Sequence, residues 1–264
     1  MELRMALVQM EVVPMDPLRN LERMGKFVAE AKKAGAELVI FPEDAVCGPL
    51  QGQTAFVEHA PAYLAAAQGM AIRHQVDLVP GSWTVADNGL LFNQAHYITK
   101  DGVVAGTYRK INLWETEKVA LTPGSGVSVF PTRFGQVGLI ICWDISFPGM
   151  FAAMNELGVE LVISPTYWSF PPKALGSEDR LDDEVALIDA LCITRAFENN
   201  ILLAYCNAAG SLDHGAASAV LSGRSQVTHP LEKVLGQCPD NAERVLVVDA
   251  LLERTPLAEA LPQA

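Results

Sequence analysis

Three short runs in this chain, Leu38-Val39-Ile40-Phe41, Gly138-Leu139-Ile140-Ile141 and Leu161-Val162-Ile163, have no polar side chain. Successive side chains of a strand point to opposite faces, so strands of this kind need apolar cover on both sides. Strand patterns outnumber helical ones along the rest of the chain. Two sheets packed face to face, each covered outside by helices, satisfy both observations. The expected fold is therefore α/β, a four-layer αββα sandwich built on two mixed β-sheets.

The 264 residues, half of them hydrophobic, suffice for one large domain, read here as residues 1–264. Gly and Pro are scattered as turn punctuation, without a linker tract, charge block or internal repeat. A strand over 3–10 precedes a helix that Asp16-Pro17 opens and Gly35 ends. Strand 37–41 leads to a second helix between Thr54 and His74, in which Pro61 implies a break or a fresh start. A strand at 76–84 follows. The turn signals Asp87-Asn88-Gly89 and Asp101-Gly102 then set strands 90–99 and 103–109 in an antiparallel meander. Beyond the Pro123-Gly124 loop come strands 127–130 and 136–141, a helix from Pro148 to Gly158, a strand at 160–164 and a helix from Asp182-Asp183 to Asn199. Strands at 201–206, 217–222, 225–229, 232–236 and 245–249 complete the set.

A net charge of −12 with only 19 Lys and Arg argues against nucleic acid, whose phosphates need clustered cations. The N-terminus runs straight into a strand pattern and no apolar stretch reaches membrane-spanning length, so the expectation is a cytoplasmic protein with no membrane partner. Cys47, Cys142, Cys192, Cys206 and Cys238 contain no Cys-x-x-Cys pair, and the five histidines lack metal-binding spacing. Neither a metal nor a cofactor is expected.

The chemistry concentrates at three strand ends. One apolar run stops on Glu43, the strand ending Tyr108-Arg109 stops on Lys110, and a third run stops on Cys142. Residues at the carboxyl end of a buried strand are held rigidly yet open onto a crevice. A thiol, an ammonium and a carboxylate brought together perform acyl transfer without histidine: the carboxylate takes the thiol proton, sulfur attacks carbon, and the ammonium stabilises the developing negative charge. Taken singly, each has an ordinary reading too, as a core thiol, a solvated loop acid or an edge-strand charge.

Phe41-Pro42-Glu43, Tyr108-Arg109-Lys110-Ile111-Asn112-Leu113 and Cys142-Trp143-Asp144 followed by Phe147-Pro148 resemble, in order, the three motif regions of the nitrilase superfamily of carbon-nitrogen hydrolases. The resemblance extends over nearly the whole chain, through Gln9, Asn207, Gly210 and Gly223-Arg224-Ser225-Gln226-Val227. It implies the αββα sandwich, a homodimer or higher homo-oligomer, and a catalytic triad in which Cys142 is the nucleophile, Glu43 the general base and Lys110 the cation that holds the oxyanion with a backbone N–H near Trp143. It also implies a second glutamate after Lys110, with Glu117 preferred over Glu115. Trp143, Trp168 and Asp144 are the candidate substrate contacts, with Asp144 alternatively orienting the turn. Cys47 follows Glu43 closely enough to line the same pocket, although packing is the simpler reading.

Many amidase and carbamoylase branches carry an arginine where this chain has Ser146, and true nitrilases commonly place glutamate at the position of Asp144. The first departure argues against a carboxylate-bearing substrate and the second favours an amide over a nitrile, so a small amide, uncharged or aromatic, is the expected partner. A nitrile or carbamoyl substrate, or a non-catalytic binding role on the same fold, are the alternatives. Loops at 44–56, 111–126 and 165–181 are expected to set the substrate.

Overall fold

The computed structural model describes residues 2–49, 56–170, 179–214 and 217–252. In chain order the elements are β1 (Glu2–Gln9), α1 (Pro17–Lys33), β2 (Leu38–Ile40), α2 (Ala60–His74), β3 (Asp77–Val79), β4 (Ser82–Asp87), β5 (Leu90–Ile98), β6 (Val104–Arg109), β7 (Ser128–Thr132) and β8 (Gly135–Leu139). They continue with α3 (Pro148–Glu156), β9 (Leu161–Thr166), β10 (Ser169–Phe170), α4 (Asp179–Asn199), β11 (Leu202–Asn207), β12 (Ser211–His214), β13 (Ala217–Leu221), β14 (Gln226–His229), β15 (Lys233–Gln237) and β16 (Arg244–Leu251).

The first sheet runs β16-β1-β2-β3-β5-β4, with β6 also on β5, and the second runs β15-β14-β11-β9-β8-β7. Each has three parallel strands at its heart, β1-β2-β3 and β8-β9-β11, and antiparallel strands outside them. Parallel neighbours need a crossover, and the four helices supply them. The apolar runs read from the sequence lie on or just beyond these parallel strands. On β1, Leu3, Met5 and Leu7 belong to a core shared with Val137, Leu139 and Leu203 of the second sheet, while Ala6 and Val8 join Met24, Val28 and Ala31 of α1. Alternate residues thus feed two different cores. The fold is the αββα sandwich.

Local signals explain the helix ends. The Asp16 carboxylate accepts from Arg19 N–H at 3.1 Å, Pro17 occupies the first turn, and Lys32 and Lys33 sit in the last. Pro61 starts α2 instead of breaking it, behind a short 3-10 turn at Val57–His59. The start of that expected helix, at 54 and 55, lies outside the described residues.

Two differences from the sequence reading bear on the site. The strand expected at 76–84 is split into β3 and β4, and the register against β5 slips by one residue between the Leu78–Ile98 and Ser82–Ala95 pairs. Gly81 lies in that slip at φ +82°, and a Cβ there would stand 1.9 Å from the Pro42 carbonyl oxygen. The bend therefore lets the chain press against the residue before Glu43. The segment expected at 217–222 joins a separate small sheet, β10-β13-β12, instead of a main one. Ser222 N–H from this sheet donates to the Trp168 carbonyl at 3.0 Å.

Candidate active site

Glu43 follows β2, Lys110 follows β6, Cys142 follows β8 by three residues, and Tyr167 and Trp168 follow β9. The face-to-face sheets bring these strand ends together. Lys110 Nζ lies 2.8 Å from Glu43 Oε1 and 2.7 Å from Glu117 Oε2. Lys110 is 2% exposed and Glu43 3%. The ammonium is held from both sides while its own backbone is pinned: Lys110 N–H donates to the Asn93 carbonyl at 2.9 Å, and Gly124 N–H donates to the Lys110 carbonyl at 2.8 Å. Any side chain at Gly124 would meet the Arg109 carbonyl oxygen at 2.2 Å.

Glu117 sits on a 3-10 turn at Glu117–Val119, and its Oε2 also accepts from Trp114 N–H at 2.6 Å. Glu115, two residues earlier, is turned outward and pairs on the surface with Lys118. Asn93 of β5 donates through Nδ2 to Glu43 Oε1 at 2.8 Å and to Glu117 Oε1 at 3.1 Å. The remaining Glu43 oxygen accepts from Tyr167 N–H at 3.0 Å.

Cys142 opens a 3-10 turn, Cys142–Ser146, with φ at +50°. A non-glycine residue in the left-handed region carries strain that only a well-braced site sustains. The bracing comes from Asp144 and Arg195. Asp144 Oδ2 accepts from Ile141 N–H at 3.0 Å and from the Tyr108 hydroxyl at 2.7 Å, while Oδ1 accepts from the backbone and side chain of Asn112, both at 2.9 Å. Arg195 of α4, buried against the same turn, donates through Nε to the Ile145 carbonyl at 2.9 Å. The Cys142 turn is thereby tied to the Lys110 strand end and to α4.

Burial sets the electrostatics. It pushes the Cys142 thiol well above its ordinary value; Glu43 acts in the same direction, and Lys110 and the Tyr167 N–H oppose. Burial likewise raises Glu43 against the pull of Lys110, with Glu117 adding to the rise and a hydrogen bond with the Cys142 thiol working against it. For Lys110 burial favours the neutral amine, yet Glu43, Cys142 and Glu117 outweigh it and the group ends above its usual value. A neutral thiol beside a carboxylate with raised proton affinity can pass its proton over a short distance.

The Cys142 turn carries an aromatic wall. The Trp143 ring lies 5.4 Å from that of Trp168, 4.7 Å from that of Trp114 and 6.3 Å from that of Phe147. Exposure rises outward, from Trp168 at 9% to Trp114 at 46%. Trp168 is fixed by its N–H to Asn207 Oδ1 at 2.8 Å, by Ser222 Oγ to its carbonyl at 3.1 Å, and by its indole N–H to Glu184 of α4 at 3.2 Å.

The chain matches the family described as carbon-nitrogen hydrolase over residues 4–258. It belongs to the carbon-nitrogen hydrolase family. Among solved structures it is similar to an amidase from Nesterenkonia sp. AN1, one variant of which shows acrylamide added at the active-site cysteine. The identity is 29%, the TM-score 0.83, and the likeness covers 94% of this chain and 93% of that one. A probable nitrilase of Schizosaccharomyces pombe is 28% identical over 93% of this chain and 88% of its own length. An omega-amidase of Xenopus tropicalis is 27% identical over 95% and 89% respectively.

In this carbon-nitrogen hydrolase the structure thus brings Glu43, Lys110, Glu117 and Cys142 together, with Trp143 and Trp168 beside them. Asp144 is different. It is fully buried with both oxygens taken by four donors, so it orients the turn and leaves no atom for a substrate. Sequence reading passed over Asn93 and Trp114. Cys47 is 2% exposed and its thiol is pushed up to about 12, chiefly by burial, which makes it a packing residue. Cys192, Cys206 and Cys238 are buried and free. Among the described residues no cluster of His, Cys, Asp and Glu could hold a metal, and no helix is long and apolar enough to cross a membrane. Parts of the expected specificity loops, 50–55 and 171–178, lie outside the described residues, as do the side chains of Asp179, Arg180 and Asp182.

Proposed function

We propose that this protein hydrolyses a small carboxamide to the acid and ammonia through a thioester on Cys142, with Glu43 and Lys110 completing the triad. The observation that carries this reading is Lys110, buried 2.8 Å from Glu43 and 2.7 Å from Glu117 beside the strained Cys142 turn. A buried ammonium between two carboxylates is a costly arrangement for packing alone.

In the first half-reaction the Cys142 proton passes to Glu43 as sulfur bonds to the carbonyl carbon. The oxygen that becomes negative is met by the third Lys110 N–H, the other two being directed at Glu43 and Glu117, and by the Trp143 N–H. Glu43 then returns the proton to nitrogen, the carbon–nitrogen bond breaks and ammonia leaves. In the second half a water gives one proton to Glu43 and its oxygen to the thioester carbon. The thiolate departs and recovers the proton, so amide plus water becomes acid plus ammonia.

Glu117 keeps Lys110 aimed between the two carboxylates and positions the water. Trp143 and Trp168 form the wall against which the acyl group packs, which suits an apolar or aromatic group with no carboxylate of its own. Five free cysteines fit a reducing cytoplasm, and the protein acts as one domain within a homodimer.

Ammonia release from a panel of amides, nitriles and carbamoyl compounds tests the proposal, with Cys142→Ala as control. The expected result is acid and ammonia from amides and none from Cys142→Ala. Acid from nitriles alone selects the nitrilase reading, and equal activity in Cys142→Ala removes the mechanism.

A further inference from the structure

We infer that Asn93 is the positioning residue that keeps Glu43 in its ionised form beside Glu117, by spanning both carboxylates with one amide nitrogen. This rests on the proposed role of Glu43 as the base for Cys142.

Asn93 touches both carboxylates of the Glu43–Lys110–Glu117 cluster and the backbone of its lysine. Its Nδ2 donates to Glu43 Oε1 at 2.8 Å and to Glu117 Oε1 at 3.1 Å, and its backbone carbonyl accepts from the backbone N–H of Lys110 at 2.9 Å. The side chain is 2% exposed. Its Oδ1, however, is buried without a hydrogen-bond partner among the described residues. An asparagine kept only for packing or for local structure satisfies both ends of its amide, because a bare buried acceptor weakens the fold. Here the amide spends both donors on the two glutamates and leaves its acceptor bare. Turning the amide over would put oxygen against two carboxylates, so charge alone sets its orientation.

The need for such a bridge follows from the charge count. Glu43 and Glu117 share one ammonium, and two carboxylates around a single cation repel each other. Asp44, next to Glu43 and half-buried, is pushed toward its neutral form by burial and by Glu43 and Glu117, and Lys110 is the cation that faces the two glutamates. Cys142 and Tyr167 contribute neutral groups on the far side, and on β5 itself His96 is engaged by Gln94 and Thr107. Each donor to an ionised carboxylate favours the ionised form. Without the Asn93 donors Glu43 takes up a proton at higher pH and ceases to accept one from the thiol.

The test compares the wild type with Asn93→Leu, which keeps the branched shape and loses the donors, using two pH profiles. One is kcat/KM for amide hydrolysis; the other is the rate at which iodoacetamide alkylates Cys142, followed by peptide mapping. In the variant the acid limb of both profiles is expected to move up by about one pH unit or more. The background Glu117→Gln, which removes the repulsion, is expected to shrink that shift at least threefold. Asn93→Ser, which retains a single donor, carries the same comparison if Asn93→Leu does not fold, with a smaller shift in the same direction.

A fall in kcat/KM that is equal at all pH values, with both limbs unmoved, overturns the inference and leaves Asn93 a structural residue. A shift of the same size in the Glu117→Gln background overturns the bridging role. A wild type inactive toward every amide defeats the functional reading instead, and the alkylation profile still decides on Asn93.

Discussion

Glu43 and Asp144 are two buried carboxylates near Cys142, and burial raises the proton affinity of both. Their partners separate them. Asp144 accepts four hydrogen bonds, all from neutral groups, and has no solvent-accessible surface. Glu43 meets an ammonium, a bridging amide, a backbone N–H and the Cys142 thiol. A fully satisfied carboxylate fixes a turn, whereas one that borders a proton donor can exchange protons with it. Position in the chain does not predict this, since Asp144 lies two residues from Cys142 and Glu43 lies far away.

The comparison breaks most visibly at Glu43. Glu43→Gln keeps the shape and still leaves Lys110 paired with Glu117, so thermal stability is expected to change little while kcat falls by about 10²–10⁴-fold, the range for losing a general base. Steady-state kinetics alongside a melting curve check both halves. A variant as active as the wild type would place the base elsewhere.

Asp144→Asn should reverse that pattern. The new NH₂ group faces two donors, Ile141 N–H and the Tyr108 hydroxyl, or else two from Asn112. Leaving such buried groups unsatisfied costs about 1–3 kcal/mol of stability. Chemical denaturation would show this as a lower midpoint, with kcat/KM reduced only about tenfold as the turn loosens. A stability unchanged from the wild type, with KM alone raised, would return Asp144 to the substrate.

How far the sequence discloses this arrangement depends on distance along the chain. Glu43, Lys110 and Cys142 stand out in the sequence because each follows a strand pattern and lies in a motif that resembles the family, and the sandwich follows from runs that need cover on both faces. Asn93 does not, since Phe92-Asn93-Gln94 reads as ordinary strand alternation and its partners lie 50 and 24 residues away. Trp168 owes its placement to Ser222 and to a strand of only two residues, too short to leave a pattern. For Asp144 the sequence leaves substrate contact and turn orientation both open, because adjacency says nothing of direction: in a 3-10 turn the side chain two residues after Cys142 reaches back to Ile141. The split of β3 from β4 is a one-residue slip set by contact with Pro42, which no local signal records.

The central claim is a thioester on Cys142, and partitioning against hydroxylamine tests it most directly. With hydroxylamine present, an amide and an ester that share one acyl group should yield acid and hydroxamate in the same ratio, because both pass through the same acyl-enzyme, and Cys142→Ala should form neither. Ratios that depend on the leaving group, or turnover that yields no hydroxamate at any hydroxylamine concentration, would contradict the account.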